Sequence, residues 1–219
     1  MQPKSMTTGA NDAELWFGVC QRLGPVYAEL FRRHPDIGPL VFIDTETAGK
    51  EAGDIIELGA ISIGLSPTVP LDARMEYFWD LVEPGEAGVA PFATKIHGIT
   101  LETLKAHGRP PKETFTRFAE WVRWVSPKRL VAHSASFDKG MLEAAFAKHG
   151  VPYDLPDFLC TVKMAKGLPV ENRKLETLAQ HFGYDNQQAH RSITDAEVCA
   201  YIFAKMAQTP SGLAYSNSR

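Results

Sequence analysis

The sequence predicts a mixed α/β layer fold, and three observations support this prediction. The chain has 219 residues, 44% of them hydrophobic, which suits one ordinary domain with a buried core. Three short apolar segments, at 40–44, 55–63 and 75–82, have strand composition and are separated by turns that contain Pro and Gly. Beyond Pro84 the apolar periodicity becomes helical, with one short strand inside it.

Residues 1–36 are predicted to form an N-terminal helical extension. Apolar positions recur at helical spacing from Asp12 to His34, and the dipeptide Gly24-Pro25 interrupts them. We interpret this dipeptide as the end of one helix and the start of another. The proline-bounded stretch that follows places the start of the domain, residues 37–207, near Ile37.

The remaining elements follow from the same patterns. Short connections between the three apolar segments predict an antiparallel meander. One helical face is followed by a strand at 129–133 and by a helix at 136–149, which Gly150 ends. The face consists of Phe115, Phe118, Ala119, Val122 and Val125. Two further helices are predicted at 175–182 and about 191–207, and the polar tail, 208–219, is expected to be disordered.

Composition excludes several classes of protein. No run of about 18 apolar residues could span a membrane and the start lacks a secretion signal, so a cytoplasmic location without membrane contact is expected. Cys20, Cys160 and Cys199 form no Cys-x-x-Cys pair, which argues against disulfides and a cysteine zinc site. We expect all three to be buried.

The charge balance limits how the protein could hold a nucleic acid. The net charge is -3, so any attraction to a polyanion must be local. Each candidate cation, taken singly, is also explained as a solvated surface charge. The candidates are Lys95, Arg109, Lys112, Lys128, Arg129, Lys139, Lys163, Lys166, Arg173, Lys174 and Arg191.

Acidic residues cluster first at the end of the strand that begins at Leu40. Asp44 and Glu46 are two residues apart, so their side chains leave the same face of the strand and can converge on one ion. Carboxylate oxygens are the ligands that Mg²⁺ and Mn²⁺ prefer. A polar strand end that turns to solvent explains this pair equally well.

Asp138 is the second acidic candidate, at the start of the helix that follows the strand at 129–133. A carboxylate there also complements a helix N-terminus, so capping is the alternative interpretation. Phe137 beside it is either a core residue or a platform on which a base stacks.

His190 and Asp195 form the third cluster, and their spacing constrains the local structure. Five residues on a continuous helix separate side chains by roughly 140°, so both cannot face one centre from mid-helix. The sequence therefore predicts a helix that starts at about residues 190–192, with His190 at or before its first turn and Asp195 inside it.

Five motifs in this order resemble the DEDDh 3′-to-5′ exonucleases over about residues 37–207. The resemblance is closest to the proofreading (epsilon) subunits of bacterial DNA polymerase III, with ribonuclease T as a relative. It implies a ribonuclease H-like fold, with a mixed five-stranded sheet flanked by helices. The motifs are Phe42-Ile-Asp-Thr-Glu-Thr47, Ile55-Ile-Glu-Leu-Gly-Ala60, Ile96-His-Gly-Ile-Thr100, Val131-Ala-His-Ser-Ala-Ser-Phe-Asp138 and His190-Arg-Ser-Ile-Thr-Asp-Ala196.

The resemblance also implies roles for the clustered residues. Asp44 would bridge two divalent ions, Mg²⁺ or Mn²⁺, with Glu46 and Asp195 on the first ion and Asp138 on the second. His190 would deprotonate the attacking water. Metal-free carboxylates would repel one another, which predicts a loosely ordered site or raised carboxylate pKa values.

Substrate contacts are implied around the first, third and fourth motifs. The substrate would be single-stranded DNA or a frayed 3′ end, and a polymerase is a candidate partner. For His97 a loop histidine without function is the alternative. The implied contact residues are Thr45, Thr47, Ile96, His97, Gly98, Ser134 and Phe137.

Two positions depart from the family pattern. Ser134 stands where Asn is common, and Ala48 stands where a second Thr is common. Neither change touches a metal ligand, although both can alter how the substrate is oriented.

Two other functions compete with a DNA exonuclease. An exoribonuclease similar to ribonuclease T or to oligoribonuclease would use the same residues, because discrimination rests on contacts to the 2′-hydroxyl. A catalytically silent nucleic-acid-binding module would lack a ligand, yet all four carboxylates and the histidine are present.

Overall fold

The structure is a computed structural model that describes residues 10–49, 51–64, 75–86, 88–185 and 190–209, with the side chains of 10–15 left out. The predicted polar tail, from residue 210 onward, lies outside the described residues. Residues 1–9 of the predicted N-terminal extension also lie outside them. No helix in the described ranges is long and apolar enough to cross a membrane.

A mixed five-stranded sheet forms the centre of the fold, as predicted. Its strand order is β3-β2-β1-β4-β5. The pairs β1–β2 and β2–β3 are antiparallel, which confirms the meander, while β1–β4 and β4–β5 are parallel. The strands are β1 (Leu40–Thr47), β2 (Ile55–Ile63), β3 (Met75–Leu81), β4 (Arg129–Ala132) and β5 (Phe158–Cys160).

Helices cover both faces of the sheet. One core lies between the sheet and the helices α1 and α8, and the other lies between the sheet and α4 and α5. The helices are α1 (Ala10–Arg33), α2 (Pro91–His97), α3 (Leu101–His107), α4 (Pro111–Val125), α5 (Ala135–His149), α6 (Thr161–Met164), α7 (Leu175–His181) and α8 (Ser192–Ala207).

Helix α1 is continuous through Pro25, so the prediction of two helices was wrong. Leu23, Tyr27 and Leu30 form one fully buried stripe, and the Tyr27 hydroxyl donates a hydrogen bond of 2.9 Å to the Ala200 carbonyl in α8. Burying three such side chains stabilises by about 1.5–3 kcal/mol each, which exceeds the cost of about 3 kcal/mol for one internal proline. Tertiary packing therefore overrides the local helix-breaking signal.

The cysteines follow their positions in this packing. Cys160 and Cys199 are buried, as expected, whereas Cys20 is only partly buried. Cys20 lies beside the buried stripe of α1 rather than in it, so the prediction that all three are buried was wrong for this residue.

Helix α8 lies against the sheet at a glycine. The backbone of β2 pairs Gly59 with Asp44 of β1. A Cβ atom at position 59 would lie 2.4 Å from the Ile193 nitrogen, closer than real Cβ atoms approach. Only glycine at position 59 therefore allows α8 to lie this close to β2. This close packing places the first turn of α8 beside the acidic end of β1.

Candidate active site

Asp44 and Glu46 lie near the C-terminal end of β1, two residues apart and on one face, as predicted. Thr45 between them points the other way and is 6% exposed. Its hydroxyl donates a hydrogen bond of 3.0 Å to Asp138 Oδ1. The structure therefore places Thr45 as a support for a carboxylate, away from solvent.

Asp138 lies in the first turn of α5 and is 3% exposed. Helix α5 begins immediately after β4, the parallel neighbour of β1, so its first turn lies beside β1. The contact to Thr45 gives this carboxylate a role between elements beyond complementing its own helix. Ser134, the N-cap position, makes no side-chain cap hydrogen bond and is exposed.

His190 and Asp195 meet because α8 begins at Ser192, which confirms the predicted helix start. His190 lies two residues before the helix with a positive φ of 67°, an uncommon conformation for a residue other than glycine. Its backbone N–H donates to Asp195 Oδ2 at 3.0 Å. One ligand atom each from Glu46, His190 and Asp195 lie within 4.8 Å of one another.

The electrostatics link all four carboxylates into one group. Burial raises the pKa of Asp44 well above its usual range, and the negative charges of Asp138, Asp195 and Glu46 raise it further. Burial, with the charges of nearby carboxylates, raises the pKa of Glu46 to about 8. Burial also raises the pKa of Asp138 to about 7, against the hydrogen bond from Thr45. The predicted rise in pKa is confirmed, and such a donor set suits hard divalent cations.

These pKa values predict a pH-dependent stability in the metal-free protein. Between the ordinary carboxylate pKa of about 4 and the raised values, the folded protein holds more protons than the unfolded chain. The free energy of unfolding should therefore fall as pH rises from about 6.5 to 8, above the range in which the lowered pKa values of His97 and His133 act in the opposite direction. Denaturant titrations in chelator would measure this fall, and Glu46→Gln should reduce it. A free energy that is flat or rises with pH in this window would contradict the prediction.

A cleft of about 670 Å³ opens beside His190 and Asp195. The His190 side chain is 46% exposed there, and its Nε2 lies 3.6 Å from Glu176 Oε1. Arg173 and Lys174 line the same cleft and are exposed. The cleft therefore combines a half-exposed imidazole with cations that could meet a phosphodiester backbone.

The implied substrate-contact residues differ in how accessible they are. Ile96 and Phe137 are 55% and 50% exposed, so Phe137 is no core residue and can act as a stacking platform. Gly98 ends α2 in a left-handed conformation with φ 71°. The Thr47 hydroxyl donates to the Gly49 carbonyl at 3.0 Å.

His97 is buried at 6% exposure, unlike an idle loop histidine. Its Nδ1 accepts a hydrogen bond of 3.0 Å from the Ile99 backbone N–H, and the Thr47 backbone lies within hydrogen-bonding reach of the ring. Burial lowers its pKa below the ordinary value, so the ring is neutral at pH 7. A neutral ring that uses Nδ1 as acceptor carries its proton on Nε2.

Three cations proposed for nucleic-acid binding pair instead with carboxylates, among them Lys139 with Glu143. Arg109 pairs with Asp80 and Glu113, and Arg191 pairs with Glu57. Glu57 was missed as a functional candidate. A glutamate between Ile56 and Leu58 in a buried strand was the available signal, because such a charge needs partners.

Comparison with known proteins identifies the family. The sequence profile of a family described as Exonuclease, RNase T type, matches residues 41–203. This chain belongs to the exonuclease family. Its recognition as a DEDDh-type 3′-to-5′ exonuclease from the ordered motifs is thereby confirmed, and so is its class of enzyme.

The similar proteins include bacterial polymerases. The PolC-type DNA polymerase III of Bacillus cereus is 30% identical over 170 residues, which cover 76% of this chain and 11% of that protein. The PolC-type enzyme of Staphylococcus epidermidis is 34% identical over 181 residues, covering 81% and 12%. The exonuclease chain thus spans about a tenth of the length of these relatives.

Solved structures share the fold. The nuclease domain of 3′hExo, a DEDDh family member bound to rAMP, has a TM-score of 0.63 at 17% identity, with 78% of this chain and 92% of that chain covered. E. coli exonuclease I in complex with a dA16 oligonucleotide has a TM-score of 0.66 at 16% identity, with 81% and 42% covered. The ribonuclease H-like fold expected from the motifs is therefore confirmed.

Proposed function

We propose that this exonuclease removes nucleotides from DNA 3′ ends as nucleoside 5′-monophosphates, in proofreading or repair. The observation that carries the proposal is the convergence of Asp44, Glu46, Asp138 and Asp195 on one site beside the half-exposed His190. The similarity to PolC-type DNA polymerases supports DNA as the polymer. A polymerase partner and a cytoplasmic location belong to the same proposal.

The four carboxylates would hold two Mg²⁺ ions, with Mn²⁺ as a substitute. Their donor chemistry fits this cofactor, because divalent cations neutralise carboxylates whose charges raise one another's pKa. When bound, the pair of ions would stabilise the attacking and leaving oxygens of the phosphodiester. In this scheme Asp44, Glu46 and Asp195 would hold one ion, and Asp44 and Asp138 would hold the other.

Two side chains would have roles besides binding the metal ions: one would accept a proton, and the other would orient a carboxylate. His190 would accept a proton from the attacking water, because its imidazole is half exposed at the cleft and adjacent to Asp195 and Glu46. Thr45 would keep the Asp138 carboxylate aimed at the site through its buried hydrogen bond.

The 3′ end would be recognised beside the first motif. Thr47, at the end of β1, and the segment Ile96–Gly98, at the end of α2, would contact the terminal nucleotide. Phe137 would offer its exposed ring to a base, and the exposed Ser134 would supply a hydroxyl where relatives often have an amide.

One assay tests polymer and polarity together. Single-stranded, paired and 3′-mismatched oligonucleotides of DNA and RNA, each labelled at the 5′ end, would be incubated with Mg²⁺, Mn²⁺ or chelator. We expect a ladder that shortens from the 3′ end on single-stranded and mismatched DNA, and no reaction in chelator. Shortening of RNA alone would establish the exoribonuclease alternative instead.

The exposed cations of the cleft should govern substrate affinity. Neutralising both in Arg173→Gln/Lys174→Gln should raise KM and lower the salt dependence of kcat/KM, because each phosphate contact contributes a slope of about 0.7 on single strands. The matched control, Lys105→Gln/Arg123→Gln, removes an exposed lysine and an exposed arginine outside the cleft. Equal effects in the two double variants would exclude a local role for Arg173 and Lys174.

A further inference from the structure

Glu57 is a fully buried carboxylate near the start of β2, at 0% exposure. Its Oε1 accepts hydrogen bonds from Trp79 Nε1 at 2.9 Å and from Arg191 Nε and Nη2 at 2.9 Å and 2.7 Å. Its Oε2 accepts from the Ser192 backbone N–H at 2.8 Å. One side chain therefore joins β2, β3 and the segment that carries His190.

These four donors stabilise the Glu57 carboxylate as an anion. They also occupy most of the oxygen lone pairs that could otherwise bind a metal ion. A carboxylate has about four lone-pair sites, and the donors include an arginine that binds through two nitrogens. Glu57 thus differs from Glu46, whose carboxylate oxygen lies within 4.8 Å of ligand atoms of His190 and Asp195. The contacts of Glu57 are therefore those of a residue that orients other parts of the chain.

The support acts at the first turn of α8. The N-cap residue, Arg191, makes no side-chain cap hydrogen bond, so Glu57 supplies the acceptor for a helix N-terminal N–H from a neighbouring strand. Gly59, two residues along β2, allows Ser192 to approach closely enough for this bond. Glu57 and Gly59 together set the distance between β2 and α8.

His190 stands directly before this anchored turn. Its backbone has φ of 67°, and such a conformation persists when surrounding contacts determine it. Two contacts do so: the His190 N–H bonds to Asp195, and the next two residues bond to Glu57. Glu57 therefore helps to fix the position of the His190 imidazole through the backbone, without contacting the ring itself.

We propose that Glu57 is a positioning residue for the hydrolysis, which holds the turn at 190–192 so that His190 and Asp195 face the reacting centre. The proposal rests on the roles given above to these two residues. It assigns the pair Glu57–Arg191 a function in turnover beyond its contribution to folding.

The test is Glu57→Gln, which keeps the shape but places an amide N–H₂ against at least one donor. We expect kcat to fall about 10- to 100-fold, as for other supporting residues, with KM changed less than about twofold. Amide hydrogen exchange at residues 190–195 should quicken. The matched control is Asp80→Asn. Asp80 lies on β3, is also a buried carboxylate, and pairs with two arginines, Arg109 and Arg117. Asp80→Asn should leave kcat and this exchange unchanged.

A second pair of variants separates positioning from general loss of structure. In a His190→Ala background, Glu57→Gln should lower kcat by a smaller factor than in the wild type, because residues that act through one another are not additive, and the loss that remains reports the effect on Asp195. Arg191→Lys, which keeps the charge but loses the two-nitrogen contact, should lower kcat in the same direction and serves if Glu57→Gln does not fold.

Three results would overturn the proposal: an unchanged kcat in both Glu57→Gln and Arg191→Lys, an equal loss in Asp80→Asn, or unaltered exchange at residues 190–195. Failure of the proposed function is a different result. If the proposed function is wrong, the His190→Ala variant keeps full activity. Amide hydrogen exchange at residues 190–195 still reports whether Glu57 holds the turn at 190–192.

Discussion

Replacing Asp44 by alanine should abolish hydrolysis of every substrate, the largest loss expected for any single change in this protein. The charges of Asp138, Asp195 and Glu46 each raise the pKa of Asp44, so this carboxylate interacts with every other member of the acidic group. A shared ligand removed from a two-ion site removes the charge that holds both ions. Measuring kcat with 5′-labelled single-stranded DNA in saturating Mg²⁺ tests this directly.

The control for Asp44→Ala is Asp54→Ala. Asp54 is a carboxylate outside the acidic group, ion-paired with Lys148 on the surface of α5. The Asp54→Ala variant should retain the hydrolytic activity of the wild type. Asp44→Ala should remain folded and should gain stability in chelator at pH 8, because one of several repelling groups is gone. Hydrolysis above about a tenth of the wild-type rate in Asp44→Ala would refute the role of a shared ligand.

Replacing His190 by alanine should lower kcat by on the order of 10²- to 10⁴-fold, with little change in KM. The variant loses the proton acceptor but keeps all four carboxylates. The residual activity should therefore remain dependent on divalent ions and should rise with pH, since hydroxide can partly replace the missing base. Single-turnover measurements at several pH values would show both features.

His107→Ala is the matched control for His190→Ala. His107 is an exposed histidine near the end of α3 and is absent from the acidic site and its cleft. Full activity in both variants would exclude His190 as the general base. A loss confined to KM would instead assign it to substrate binding.

The sequence was sufficient to predict much of the site because the constraints were geometric. Two carboxylates two residues apart on a strand share a face wherever the strand lies. The five-residue interval between His190 and Asp195 is incompatible with one helix face, so the helix start at Ser192 followed from the requirement that they meet. Local rules decide such features.

Where tertiary packing decides, the sequence misled or was silent. Pro25 signalled a break, yet the buried stripe of α1 against α8 keeps the helix continuous. The resemblance implied a substrate contact for Thr45, but it gave no sign of the hydrogen bond from the Thr45 hydroxyl to Asp138, a residue 93 positions away. Neither contact has a sequence pattern of its own, because each joins elements that are distant along the chain.

Glu57 illustrates an intermediate case. A glutamate flanked by Ile56 and Leu58 must be paired if the strand is buried, and this much the sequence contains. Which partner it finds depends on the approach of α8 to β2 at Gly59. The need for a partner could thus be predicted, but the partner could not.

The central claim is that Asp44, Glu46, Asp138 and Asp195 hold a pair of divalent ions beside His190. The most direct test is a crystal structure of the protein grown with Mn²⁺, with the ions located by their anomalous scattering. We predict two anomalous peaks that share Asp44 as a ligand, one also bound by Glu46 and Asp195 and the other by Asp138. Peaks elsewhere, or a site without manganese at saturating concentration, would contradict it.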